Sequence, residues 1–400
     1  MRSRKDYILT KDDVYGDANH WLDSALRLEY EGTKCTAGTV ISVLLIAAAR
    51  VVSIFAACRA LADAPSDQTI RDAMEQSLPP IPELERRLNR ALTIDLPKAL
   101  RRKARMIAID LTLIPYHGQP QQDKEEIYRS SPKSGTTHFH AYATAVVVHK
   151  GHRYTLGLTR VGRSEKMKNV VQRLLRIVRQ RAVKIKFLLL DKGFFSVAVI
   201  SYLKRARWAF IIPAFPRGRK PKPPQKATGL RALLKNKHGY YPHTLQSKVA
   251  GQTRTTRVTI CVASKSYQDK RTGKSGRKKL LFAIHRLKRT PQTIRETYRK
   301  RFGIETSYRQ MNEARIKTST RDPAQRLLFV GVALVLRNVW VWLHFKLAKG
   351  KWDPEPRIFL QLLRFKEMLL WITQVVQRLL GADQVPGIDF QTYQRVTAME

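Results

Sequence analysis

The chain has 400 residues, 75 of them Lys or Arg and 31 Asp or Glu, for a net charge of +44. An apolar share of 43% excludes wholesale disorder, and the length exceeds one average folding unit, so two to four structural units are expected. Self-repulsion of this size destabilises a lone compact chain and is relieved beside phosphates, which argues for a polyanionic partner rather than a generic basic surface.

Residues 1–100 are expected to form an N-terminal helical region, serving either for packing or for DNA binding. The opening Met1-Arg-Ser-Arg-Lys-Asp-Tyr7 has no apolar core behind it, so no secretory signal is expected. Thr39–Cys58 is apolar apart from Arg50, and Leu327–Phe345 is apolar apart from Arg337, Asn338 and His344. A charge at the centre of a membrane span costs about 2.5–3.5 kcal/mol, so both stretches read as buried helices and no membrane partner is expected. Pro65-Ser66-Asp67 is a turn and cap opening a helix through Ile70 and Met74, which stops at Pro79-Pro80. A second helix runs from Pro82 through Leu92. Cys35, Cys58 and Cys261 are odd in number and far apart, which argues against disulfides and zinc and for a reducing compartment.

Residues 101–213 alternate between strand and helix. Met106–Leu113 is an apolar strand. His138–His149 and Arg153–Arg160 form a hairpin about Lys150-Gly151-His152. Glu165–Gln180 has helical spacing in Val170, Leu174, Leu175 and Val178, Lys184–Asp191 is a strand, Ser196–Arg205 a helix and Trp208–Pro213 a strand. Three strands, a helix, a strand, a helix and a strand predict an α/β fold with a ribonuclease H-like mixed sheet flanked by helices.

The pattern then breaks. Pro216–Pro224 suits neither a helix nor a central strand. Arg254–Val262 and Lys279–His285 read as strands, so residues 214–289 are expected to be a β-rich basic insertion within a catalytic unit spanning 101–345. Between Lys204 and Arg289 there are 24 Lys and Arg against one acid, Asp269, making this stretch the main electrostatic footprint. Helical spacing returns at Pro291, with Thr290 as its cap. Helices at about 324–348 and 356–381 follow, the latter in a C-terminal helical region, 346–400.

Asp110 follows Ile107-Ala108-Ile109, and Asp191 follows Leu188-Leu189-Leu190. A lone Asp after a strand is more often a turn or cap residue. Two neighbouring strands that both end this way can instead share a hard divalent cation, and a third carboxylate allows two cations to clamp an in-line phosphoryl transfer. Tyr298, Arg301, Glu305 and Arg309 are spaced by three, four and four, so they are expected along one helical face. On that face Glu305 is a metal-ligand candidate, Arg301 and Arg309 are candidates to hold phosphates bidentately, and Tyr298 would order the site. Gly303 weakens that helix by roughly 1 kcal/mol, which a close approach of DNA or sheet would explain. His138 and His140 share a strand face but lack a third partner at metal spacing, so they read as polar strand residues or phosphate contacts.

These motifs resemble those of the DDE transposases of prokaryotic insertion sequences, in particular the insertion-sequence-four group with its Tyr-(2)-Arg-(3)-Glu-(6)-Lys signature. Ile109-Asp-Leu-Thr-Leu-Ile-Pro-Tyr-His-Gly118 is similar to the first-aspartate motif and Leu190-Asp-Lys-Gly-Phe-Phe195 to the second. Tyr298, Arg301 and Glu305 match the third in spacing. Asn312 stands where the signature has Lys, with Arg309, Arg315 and Lys317 as nearby cations. The resemblance covers roughly residues 100–345. It implies a ribonuclease H-like core and catalytic metal ligands Asp110, Asp191 and Glu305. These would hold Mg²⁺, with Mn²⁺ as a substitute, as two ions. Tyr298, Arg301, Arg309, Arg315 and Lys317 would contact DNA. The protein would act as a homodimer on double-stranded transposon ends and target DNA, in the cytoplasm at the nucleoid. A water would attack a phosphodiester at the element's end, and the freed 3′-hydroxyl would attack target DNA, directly or after a hairpin. The alternatives are a DNA-binding descendant without catalysis and a nuclease of the same fold that never joins strands.

Overall fold

The structure, a computed structural model, describes residues 8–33, 35–149, 152–220, 226–268, 273, 275–347 and 358–382. Six helices come first: α1 (Lys11–Leu26), α2 (Ala37–Arg50), α3 (Ile54–Arg59), α4 (Asp67–Ser77), α5 (Ile81–Ala91) and α6 (Lys98–Arg102). The single helix expected over 39–58 is two. Val51 turns left-handed (φ 56°) and ends α2, and Ser53 caps α3 by accepting from the Ala56 N–H.

Strands β1 (Arg105–Pro115), β2 (Tyr128–Lys133), β3 (Thr136–His149) and β4 (His152–Val161) lead to α7 (Met167–Gln180), β5 (Ile185–Leu190), α8 (Val197–Arg205) and β6 (Phe210–Pro213). Lys150 and Gly151, the expected hairpin turn, lie outside the described residues; the strands on either side pair as far as His149 opposite His152. Neighbours run β4-β3-β1-β5-β6. β1, β3 and β4 pair antiparallel, and β1, β5 and β6 pair parallel, which is the ribonuclease H-like arrangement. β2 was not foreseen; it pairs with the start of β3.

Beyond α9 (Gly229–Ala232), the stretch expected to be β-rich forms β7 (Gly239–Val249), β8 (Gln252–Gln268) and β9 (Ser275–His285). β9 pairs with β6, and the central sheet continues through β9-β8-β7 to nine strands. β7 was also unforeseen. Pro242 argues against a central strand, and β7 is the outermost one, where a missing N–H is tolerated.

The chain then forms α10 (Pro291–Arg299), α11 (Gly303–Asn312), α12 (Pro323–Leu347) and α13 (Phe365–Leu379). α13 begins later than the expected 356, and residues 352–357 lie outside the described ones. α12 is apolar and long enough to cross a membrane, but its most apolar stretch is 94% buried inside the fold. Its Trp340, with Trp21 and Leu22 of α1 and Ile41 and Leu44 of α2, belongs to one apolar core that continues onto the sheet through Ile107, Ile109 and Leu156.

The outer edge of β4 is closed by side chains instead of another strand. The Asn89 amide of α5 donates to the Leu158 carbonyl (2.7 Å) and accepts from its N–H (2.8 Å). Asn338 of α12 does the same at Thr155, at 2.7 and 3.0 Å, and also donates to Leu92 O. Glu85 accepts from the Arg160 N–H and the Thr159 hydroxyl. Each amide imitates one strand residue, so the edge has its hydrogen bonds met without offering a template for strand addition.

Candidate functional site

β1 and β5 are parallel neighbours, with Ile109 opposite Leu190. Asp110 and Asp191 therefore emerge side by side where the parallel ladder stops. Asp110 does not end its strand as expected. β3 goes on pairing with β1, with Thr144 opposite Asp110, as far as Pro115. Asp191 does end β5, because its side chain caps the following 3₁₀ turn (Lys192–Phe194) by accepting from the Gly193 N–H. Each Asp thus gives one oxygen to backbone, Asp110 to Leu111 N–H at 2.9 Å and Asp191 to Gly193 N–H at 3.2 Å, and turns the other towards a shared centre.

Arg301 fills that centre. Its guanidinium donates to Asp110 Oδ2 at 2.7 Å and lies 3.3 Å from Asp191 Oδ1 and 3.6 Å from Glu305 Oε1. It is buried and stacks near the Tyr298 and Phe302 rings. Burial opposes its charge, but Asp110 and Asp191 outweigh that and hold it protonated. For Asp110 the balance runs the other way. Burial first, with the charge of Asp191 added, lifts its carboxyl to about 6 despite Arg301.

The single helical stripe expected over 298–309 does not form. α10 stops at Arg299, a 3₁₀ turn covers Lys300–Phe302, and α11 starts at Gly303. A Cβ at Gly303 would overlap the guanidinium of Arg153 on β4, so the start of α11 passes close to a side chain of the sheet. The break turns Arg301 inward. Its donors go to the acids. Tyr298 is also turned in: its hydroxyl donates to Leu190 O at 3.3 Å and ties α10 to the end of β5, and burial pushes its pKa up. Glu305 is 56% exposed and Arg309 is exposed. Arg315 donates to Asn312 Oδ1 at 3.2 Å, so a cation does reach the position that departs from the signature. Lys317 is exposed, its N–H bonded to Val52 O.

Two further residues were not singled out from the sequence. The Tyr308 hydroxyl of α11 bonds Thr144 Oγ1 at 2.8 Å, which docks the Glu305 helix on the β3 residue opposite Asp110. Tyr308 is three residues past Glu305, the only sequence signal for it.

Among the described residues no three of His, Cys, Asp and Glu are arranged to hold a metal. The acids all face one cation, but that cation is Arg301. Three carboxylates are a hard donor set of the kind that suits Mg²⁺ or Mn²⁺. Here the oxygens of Asp110 and Asp191 that face the centre are taken by Arg301.

The histidines do not join this centre. His140 is 2% exposed on β3, and burial, with Arg326 and Arg160 nearby, lowers its pKa to about 3. A lowered histidine contributes stability above its unfolded pKa of 6.5 that is lost as pH falls towards 3. Between pH 6.5 and 4.5 the wild type should lose roughly 2 kcal/mol more than His140→Gln, measured by urea unfolding. Equal losses in the two proteins would contradict this.

A family model described as the transposase DDE domain matches residues 101–338. That span runs from just before β1 into α12 and includes Asp110, Asp191 and Glu305. No curated protein matches the chain.

Proposed function

The chain belongs to the transposase DDE domain family, and from that premise we propose that it cuts phosphodiester bonds at the ends of its insertion sequence and joins the freed strands to target DNA. Family membership supports a role in DNA transposition; the enzymatic steps and residue roles below are our reading. One observation carries it. Asp110, Asp191 and Glu305, spread over 195 residues of chain, converge on the guanidinium of Arg301.

In this reading the three acids hold divalent cations, Mg²⁺ or in its place Mn²⁺, two to a site. When bound, such ions activate water and neutralise charge on the attacked phosphate. Arg301, displaced from the acids, presents a planar pair of donors to a phosphate beside the broken bond. Tyr298 and Tyr308 keep the third acid in register with the sheet, and exposed Arg309 and Lys317 extend the contact along DNA. The spacing of Tyr298, Arg301 and Glu305 favours the insertion-sequence-four group, with Arg315 standing in for the signature lysine at Asn312. Action as a homodimer on paired ends, in the cytoplasm at the nucleoid, goes with this reading.

The far half of the sheet supports a polyanionic partner. Lys265 of β8 and Lys278 of β9 are paired directly across the ladder, and both are exposed. Like charges at such a pair repel, and a phosphate between them removes the repulsion. Lys278→Glu should weaken binding to any duplex and lower the slope of log affinity against log salt by about 1. An unchanged slope in a salt titration would take β8 and β9 off the DNA path.

The decisive assay incubates purified protein with DNA carrying the gene's own flanks and Mg²⁺, with Glu305→Gln as the control. Precise cuts with joined products, lost in the control, are expected. Cuts without joining would reduce the protein to a nuclease, and binding without cuts would leave a DNA-binding descendant.

A further inference from the structure

A second cationic place lies away from the acids, on the same elements. Asp110 is on β1, and four residues on, about 13 Å at ~3.3 Å per residue, Ile114 borders a narrow recess with room for one water-sized atom. Ile114 pairs with His140 on β3. The remaining walls include Arg315, which follows the end of the Glu305 helix, and Arg326 of α12.

The polar groups there are underused. His140 Nε2 is buried without a hydrogen-bond partner, on a side chain that is 2% exposed. Arg326 is 7% exposed; its Nε donates to Thr320 O at 2.7 Å and its guanidinium stacks on Tyr116 at 4.6 Å. Arg315 reaches only the Asn312 amide through its Nε, at 3.2 Å. Neither arginine has a carboxylate partner among the described residues. The nearby acid, Asp322, is engaged at the start of α12, where it accepts from the Ala324 N–H. Arg160 adds positive charge on the same side. Burying the Arg326 guanidinium beside the half-buried Arg315 without a counter-charge is costly, and so is an unmatched imidazole nitrogen. Groups left this way in a folded protein call for an explanation, such as an ion that belongs there.

We propose that this recess binds a phosphate group: one oxygen enters between Arg315 and Arg326 and accepts a hydrogen bond from His140 Nε2. Its source is the DNA backbone, at a phosphate flanking the one that is cut. This assignment of the source rests on the transposase reading. The recess lies along β1 from Asp110 and just past the helix of Glu305, so a strand crossing the acids continues over it. It would fix how far the DNA end advances, and Arg315 would link the site to the Asn312 position.

The test replaces single phosphates along the end duplex with neutral methylphosphonates and measures affinity for wild type and Arg315→Gln. Arg326 packs on Tyr116 and holds the Thr320 carbonyl, so its variants risk misfolding. Arg315 lies at the mouth of the recess, and thermal unfolding checks that its variant is folded. Wild type should lose roughly tenfold at one flanking position. In Arg315→Gln that loss should vanish while losses at other positions persist. Additive losses, with no position coupled to Arg315, would remove DNA from the recess. A second arm uses inorganic phosphate alone. Stabilisation of wild type but not of Arg315→Gln, without DNA coupling, would keep the phosphate site and make free phosphate its ligand. Neither coupling nor stabilisation would overturn the proposal. Wild type that binds no DNA at all would count against the transposase reading, and the inorganic-phosphate arm would still decide the recess.

Discussion

Asp110→Asn should abolish strand cleavage, by roughly 10³-fold or more, while leaving DNA affinity within about twofold. The substitution is close to isosteric. The Asn oxygen can still accept from the Leu111 N–H, as Asp110 Oδ1 does now at 2.9 Å, so β1 keeps its local geometry. What is lost is the charge on the oxygen that faces Arg301, and with it the metal ligand of the proposed mechanism. DNA affinity should survive because the proposed DNA path runs over the cations of β8, β9 and the exposed residues of α11. Cleavage of labelled end duplex and a binding titration on the same preparation separate the two effects. Cleavage at wild-type rate would remove Asp110 from the chemistry; a parallel collapse of binding would mean that the acid serves the fold or the DNA path.

Arg301→Gln should destabilise the metal-free protein by about 3–5 kcal/mol. Among the described residues Arg301 is the one cation touching Asp110, Asp191 and Glu305, and Asp110 is buried. Without it, three like charges face each other around a centre that has lost its neutralising charge. Divalent cations should then restore much of the loss. Mn²⁺ should raise the thermal midpoint of Arg301→Gln by more than that of wild type, because wild type must first give up the guanidinium. A variant as stable as wild type, or indifferent to Mn²⁺, would show that the acids do not share a cation site. The comparison needs no DNA, so it tests the centre independently of catalysis.

The sequence made Asp110 and Asp191 visible because each follows an apolar run that could only be a buried strand. It did not make the pocket visible. The side chain that joins the acids is an arginine, a type normally placed outside, and its closest acid, Asp110, is 191 residues away. Spacing of three and four suggested one helix through 298–309, because periodicity cannot register a glycine that starts a new helix against a side chain from β4. The core strands followed from their apolar runs, whereas β7, polar and edge-placed, carries no such run. Chain order alone showed the ribonuclease H-like sheet, but not that β7, β8 and β9 extend it. That depends on the pairing of β6 with β9, between segments separated by a long basic stretch.

The side-chain seal on β4 bears on how such a protein can be reassembled over evolutionary time. Asn89 and Asn338 come from opposite ends of the chain, yet both complete the same ladder. The leading helices therefore cannot be exchanged as a cassette, because a grafted replacement would leave Leu158 and Arg160 with open backbone groups. Insertions are more easily accommodated at the opposite margin of the sheet. There β7 ends the ladder in free strand edge, and loops can lengthen without unsealing the core.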